Sequence, residues 1–250
     1  MADERTTYRD IGWESDSTTV TDGVHYCSTF SACTAFETDE GIVLVDSGLQ
    51  ELGEDLAAQL REYTDAPIHT CIYTHGHVDH VHGLPAFLDQ QDEAPRVIAH
   101  ENVAARFDRY ERTREHNEAL NARQFGAAAQ AGDDLSRAAE SPFRWPDHPP
   151  TTRYEDELTI RVGGLTFEIH HARGETDDHS WVYCPEKEVL CTGDFFISMA
   201  PNPGNPQKVQ RYPWEWADAL REMAALEPRH LCPGHGQQVV DDPEGIQDRL

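Results

Sequence analysis

Ile68-His69-Thr70-Cys71-Ile72-Tyr73-Thr74-His75-Gly76-His77-Val78-Asp79-His80 is the stretch that decides how this chain reads. The apolar run from Ile68 to Tyr73 predicts a strand, and right behind it three imidazoles and one carboxylate fall within six residues. Backbone leaving a strand is extended, so alternate side chains point the same way. His75 and His77 are therefore expected to face one metal from one side. Asp79 and His80, adjacent where the chain must turn, face a second. Imidazole and carboxylate are donors that zinc accepts, and a catalytic zinc leaves one position for water. The competing reading is a chance cluster in a chain with 14 His.

Working outward, four further segments bear on that choice. Ile42-Val43-Leu44-Val45-Asp46-Ser47-Gly48 ends an apolar run on Asp and Gly. Downstream stand His171-Ala172-Arg173-Gly174-Glu175-Thr176, Leu190-Cys191-Thr192-Gly193-Asp194 and Pro233-Gly234-His235-Gly236. Together and in this order the segments resemble the landmarks of the metallo-β-lactamase-fold superfamily, from about Asp22 to Gly236. The resemblance implies a mixed α/β (α+β) chain folded as a four-layer αββα sandwich, one domain over residues 1–250. It also implies two metal sites. The first takes His75, His77 and a donor from the third segment; the second takes Asp79, His80 and His235; Asp194 bridges both. Two Zn2+ ions are the expected cofactors, with iron or manganese admitted because oxygen donors make the site harder.

The third segment departs from the common pattern. Most of the superfamily carries His between Gly and Thr, where this chain has Glu175. Glu at that place resembles the alkylsulfatase branch. His170 and His171 lie close and compete for the role, but motif position favours Glu175. His179 reads as a partner behind the ligands, as a substrate contact or as an ordinary polar His, and it is grouped with Asp79 as a catalytic candidate. Two dications against the carboxylates Asp79, Glu175 and Asp194 leave roughly one positive charge, which attracts anions weakly. An anionic ester then wants protein cations, for which Arg173, Lys208 and Arg211 are the candidates. Asn202, Asn205 and Gln207, in the same loop as Lys208, offer hydrogen bonds. His25, His69, His100, His116, His148 and His230 read as ordinary residues, and His82 as a turn residue beside the motif.

Composition narrows the partners. The 46 acidic against 20 basic residues give a formal net charge of -26, and Lys occurs only at Lys187 and Lys208. Such a surface repels nucleic acid and anionic lipid, both of which are bound through basic patches. It also repels itself in dilute salt, which points to a halophilic protein. No apolar stretch approaches the roughly 20 residues of a membrane span, and no signal-peptide core is present. A cytoplasmic location is expected, with a small-molecule ester as partner, no nucleic acid and no membrane; a homodimer is left open. The six Cys show no C-x-x-C spacing and read as small core residues.

Short runs bounded by turn residues predict strands at Val24–Phe30, Ala32–Phe36, Ile42–Asp46, Thr70–Thr74, Arg96–Ala99, Thr159–Val162, Thr166–His170, Ser180–Tyr183, Val189–Thr192 and His230–Cys232. Leu52, Leu56 and Leu60 mark one face of a helix over Glu51–Tyr63, and Trp216, Leu220 and Met223 one over Trp214–Leu226. Glu101–Ala139 is charged, Ala-rich and helical, with Arg106, Arg109, Arg112 and Arg114 interleaved with Glu111 and Glu115. Ser141–Pro150 is rich in Pro and aromatics. The resemblance places an insertion beside the site, so about 101–150 is expected to form a helical lid, with a plain exposed helix and loop as the alternative.

The resulting expectation is a dinuclear metal hydrolase in which a bridging hydroxide attacks a sulfate, phosphate or carboxylic ester. A glyoxalase-II-like thioesterase and a non-catalytic metal-binding relative are the alternatives. The complete donor set argues against the second. His77 argues against a flavin-linked oxygen reductase, which usually carries an acid there. Alkylsulfatases have further C-terminal domains, so 245–250 reads as a helix cut short.

Overall fold

Period-two alternation sorts the side chains of this molecule into three apolar layers. In the computed structural model, which describes residues 15–89, 91–124, 141–197 and 211–250, the strands form two sheets. The first runs β1 (Asp16–Thr21), β2 (Val24–Ser28), β3 (Ala32–Thr38), β4 (Gly41–Val45), β5 (Ile68–Ile72), β6 (Arg96–His100) and β7 (Thr152–Tyr154) in sequence order. β1 to β4 pair antiparallel, and β4 to β7 pair parallel. The second sheet has the order β12 (His230–Pro233), β11 (Val189–Gly193), β10 (Ser180–Cys184), β9 (Leu165–His171), β8 (Glu157–Val162). Only its β11–β12 pair is parallel.

In β4, Val43 and Val45 face the second sheet while Ile42 and Leu44 face outward to helices; β5 divides Ile72 from Cys71 in the same way. The outward core of the first sheet is closed by α1 (Gly53–Arg61), α2 (Val78–Val81), α3 (Leu84–Phe87) and α4 (Glu101–Arg112). On the far side, Trp181, Leu190 and Leu231 of the second sheet meet Trp216, Ala219 and Met223 of α6 (Pro213–Ala225) and Ile246 of α7 (Pro243–Gln247). Helix, sheet, sheet, helix is the expected order of layers. All six cysteines are buried and free, as core residues should be.

Two strands lie outside the expectation. β1 is Ser- and Thr-rich and β7 has three residues; both are sheet edges with one neighbour, so neither needs the apolar alternation that reveals a strand. The Glu101 segment divides at Thr113, whose hydroxyl donates to the Arg109 carbonyl, 2.8 Å. α4 is amphipathic and buries Val103, Ala104, Phe107 and Tyr110 together with a charged residue, Arg106. α5 (Arg114–Gln124) has no buried side chain over residues 114–123. From 141–150, Phe143 enters the outer core of the first sheet and Trp145 Nε1 donates to Asp108 of α4, 3.1 Å. Among the described residues no helix is long and apolar enough to cross a membrane.

Candidate metal centre

Parallel strands deliver the site. β4, β5, β11 and β12 all end at the same edge of the sandwich, and the residues just past those ends are Asp46, His75, Asp194 and His235. β5 stops at Ile72, the chain bends at Thr74 and His75, His77 is extended, and α2 begins at Val78, so Asp79 and His80 sit on its first turn. The β9–β10 connection brings Glu175 across from the second sheet.

The donors gather in two groups. His75, His77, Glu175 and Asp194 form one, and Asp79, His80 and His235 the other; within each, the ligand atoms lie within 4.8 Å of one another. Glu175 Oε2 is 3.3 Å from His75 Nε2 and 3.1 Å from His77 Nδ1. Asp79 Oδ2 is 3.2 Å from His235 Nε2 and 3.6 Å from His80 Nε2. Asp194 stands between the groups, with Oδ1 3.4 Å from both His80 Nε2 and His235 Nε2, and Oδ2 3.9 Å from His75 Nε2.

Three of the four imidazoles are oriented from behind. His80 Nδ1 bonds to Asp46 Oδ2 at 2.8 Å, His235 Nδ1 to the Phe30 carbonyl at 2.7 Å, and His75 Nδ1 to Thr74 Oγ1 at 3.0 Å. A proton on the outer nitrogen of His80 and His235 leaves the Nε2 lone pair facing the cluster, the tautomer a metal ligand needs. Asp46 also accepts from the Thr74 N–H and hydroxyl, at 2.7 and 2.8 Å, and does so from a left-handed backbone at φ 61°. Gly234 is small for a reason: a Cβ there would collide with the Asp194 carboxylate.

A cation fits this arrangement. His80 Nε2, Glu175 Oε2 and Asp194 Oδ1 are buried and without a hydrogen-bond partner; His80 Nε2 and Asp194 Oδ1 lie 3.4 Å apart, while Glu175 Oε2 faces His75 and His77. Unpartnered buried polar atoms are costly, and a bound ion among such donors satisfies them. Burial opposes charge on Glu175, but the imidazoles of His77 and His75 overcome it and hold its carboxyl well below the usual range. Burial likewise works against charge on His80, and Asp194, Asp79 and Asp46 carry it up to about 9.

Of the remaining candidates, His179 and Arg211 adjoin the cluster, and His170, His171 and Arg173 have partners outside the donor groups. His171 Nδ1 turns to the His179 carbonyl, 2.8 Å, and its ring stacks on His100, outside the donor groups. His170 stacks on Trp181. His179 is fully buried, its ring stacked on His75, and its Nε2 accepts the Asp194 N–H at 3.0 Å. Arg211 bonds to Glu175 Oε1, the oxygen turned away from the imidazoles. Arg173 pairs with Glu215 and lies over the Tyr212 ring. Lys208, Asn202, Asn205 and Gln207 lie outside the described residues. Sequence reasoning passed over Arg106 and Asp178, a buried pair adjoining Gly76. Their signal was present only as one Arg among four in a charged helix.

A family model described as the metallo-beta-lactamase superfamily matches residues 29–235, a span that contains every donor named above. The chain belongs to this superfamily. The residues of the two groups are candidate metal-binding residues of this superfamily member. Among curated relatives, a linear primary-alkylsulfatase from Pseudomonas sp. (strain ATCC 19151) is 26% identical over 227 residues, covering 81% of this chain and 41% of the relative. The superfamily member described here thus spans about two-fifths of that relative's length. Solved structures share the fold. A stereoselective inverting sec-alkylsulfatase from Pseudomonas sp. aligns with TM-score 0.74 and 19% identity, over 94% of this chain and 40% of the other. A metallo-beta-lactamase from Pontibacter korlensis aligns with TM-score 0.64 and 19% identity, over 93% and 96%.

Proposed function

We propose that this superfamily member is a dinuclear hydrolase of ester-type bonds, with alkyl sulfate esters as its leading substrates. The observation that carries the reading is Glu175, a carboxylate standing with His75 and His77 where most of the superfamily has a third imidazole. The alkylsulfatase relative supports it. His75, His77 and Glu175 would hold a first ion and Asp79, His80 and His235 a second, with Asp194 standing between the two groups. Two zinc-class ions so held supply, when bound, a hydroxide at neutral pH and polarisation of the scissile bond.

The chain's own groups have separable tasks. Asp79 and Asp194, kept ionised against desolvation by the neighbouring His80 and His235, would supply carboxylate oxygens to the ions. His179, buried behind Asp194, fixes that residue's backbone by accepting its N–H. Arg211 occupies Glu175 Oε1, which leaves Oε2 to the first ion. It also places a guanidinium beside the centre, where a sulfate ester brings its negative charge. Arg173 and Lys208 are proposed as further contacts to that anion.

The test is a panel of sulfate, phosphate, carboxylic and thioesters, assayed on protein loaded with zinc, iron or manganese and analysed for metal content. About two ions per chain and fastest turnover of alkyl sulfates are expected. Fastest turnover of a thioester favours the glyoxalase-II-like reading. A single tightly held ion removes the dinuclear mechanism.

A further inference from the structure

Arg106 is a cation in α4 that the outer core buries, 6% exposed, against a carboxylate that is fully buried. The two meet as a fork: Arg106 Nε donates to Asp178 Oδ2 at 2.8 Å, and Nη2 to Asp178 Oδ1 at 2.7 Å. Nη2 also reaches Asp177 Oδ1 at 2.6 Å, and Asn102, one turn earlier, donates to the Asp177 carbonyl at 3.2 Å. Asp178 has a second duty. Its Oδ2 accepts the backbone N–H of Gly76 at 3.0 Å, the peptide between His75 and His77. One carboxylate, three residues after Glu175, therefore grips the turn that carries two further donors of the first group, His75 and His77.

The residue at the gripped position fits this role. A Cβ on Gly76 would stand 2.9 Å from Arg106 Cδ and 3.0 Å from Asp178 Oδ2, so the ion pair would have to shift to admit it. The middle of His75-Gly76-His77 is thus glycine because the ion pair lies directly on it. If fastening α4 to the sheet were the whole task, apolar packing would do it without desolvating two charges. An apolar pair, however, offers nothing to the Gly76 N–H. The bidentate fork also fixes the carboxylate plane, which a lysine cannot do.

We infer that Arg106 and Asp178 form a positioning clamp that holds the His75–His77 turn and the Glu175 segment at the mutual distance the first ion requires. The inference rests on the ligand assignment proposed above. It gives α4 a function at the site: a helix on the outer layer sets the spacing of metal donors from behind. No comparable contact runs, among the described residues, from this pair to Asp79, His80 or His235.

The experiment measures Zn2+ affinity by competition with a chromophoric chelator, in the full chain and in two backgrounds. His235→Ala disables the second site and leaves the first to be read; Glu175→Ala does the reverse. Arg106→Lys, which keeps the charge and loses the fork, is expected to weaken zinc binding about 10–100-fold in the first background. In the second background it should change binding by less than about twofold. Asp178→Asn should behave the same way, and the double variant should lose no more than the worse single, because the two act as one unit. Equal losses at both sites identify the pair as general structural support and overturn the clamp. Unchanged affinity at both does so as well. Failure of the parent chain to bind zinc overturns the dinuclear proposal and the clamp with it.

Discussion

Behind His80 and His235 stand the Asp46 carboxylate and the Phe30 carbonyl, acceptors placed by the first sheet and the loop before β3. Behind Glu175 and the His75–His77 turn stand two arginines, Arg211 directly and Arg106 through Asp178. The ligand atoms of the two groups are of similar kinds, but the supports differ in charge. An imidazole ligand needs only an acceptor for its outer N–H. A carboxylate ligand keeps a second oxygen, and in a buried site that oxygen needs a donor, best a charged one. In a chain with 20 basic residues against 46 acidic ones, spending two of them here marks the first group as the one built around Glu175.

The sharpest way to break this comparison is at the ligand itself. Glu175→Ala should cost the first ion and most turnover, while His171→Ala, whose ring points to the His179 carbonyl, should keep both ions. Elemental analysis of metal-loaded variants reads the outcome. Loss of metal from His171→Ala and not from Glu175→Ala transfers the ligand role and removes the alkylsulfatase-like argument.

A smaller effect separates the supports of the second group. Tyr26 donates its buried hydroxyl to the Gly236 carbonyl at 2.8 Å and the Pro233 carbonyl at 3.2 Å, on either side of His235. Tyr26→Phe leaves both carbonyls short of a donor, so urea unfolding should show a loss of about 1–3 kcal/mol. Zinc affinity in the Glu175→Ala background should fall with it. Affinity in the His235→Ala background should hold. A variant that weakens the first site instead would show that the groups share one scaffold.

The smallest effect concerns surface charge. Raising salt from dilute to molar should relieve the self-repulsion of a net charge of -26 and raise the melting temperature by several degrees. The buried Arg106–Asp178 pair should be screened far less, leaving first-site zinc affinity nearly constant. A melting temperature that stays flat or falls contradicts the halophilic reading, and a first-site affinity that collapses in salt contradicts the buried clamp.

Much of this could be read in advance. His75, His77, Asp79 and His80 are neighbours in the chain, so their grouping in pairs could be read from spacing, although a bend at Thr74 and His75 and the turn of α2, not a continued strand, set their directions. The layered fold followed from buried runs such as Ile42–Val45 and from the ordered motifs, since alternation is a local property. β1 escaped because an edge strand facing solvent carries Thr and Ser as readily as Val. Arg106 escaped for a different reason. On a helix of mixed charge it is indistinguishable from Arg109 or Arg112, which the structure leaves half-buried and exposed. Its partner stands 72 positions later on the other sheet's loop.

Donor types, their order and their local spacing were therefore determined by the sequence alone. Which oxygen of Glu175 faces the imidazoles, which nitrogen of each His is turned to the cluster, and which arginine is buried were decided only by tertiary structure. Those choices depend on groups brought together across two sheets. Desolvation makes a buried polar atom costly unless a partner meets it, and only the folded chain supplies that partner.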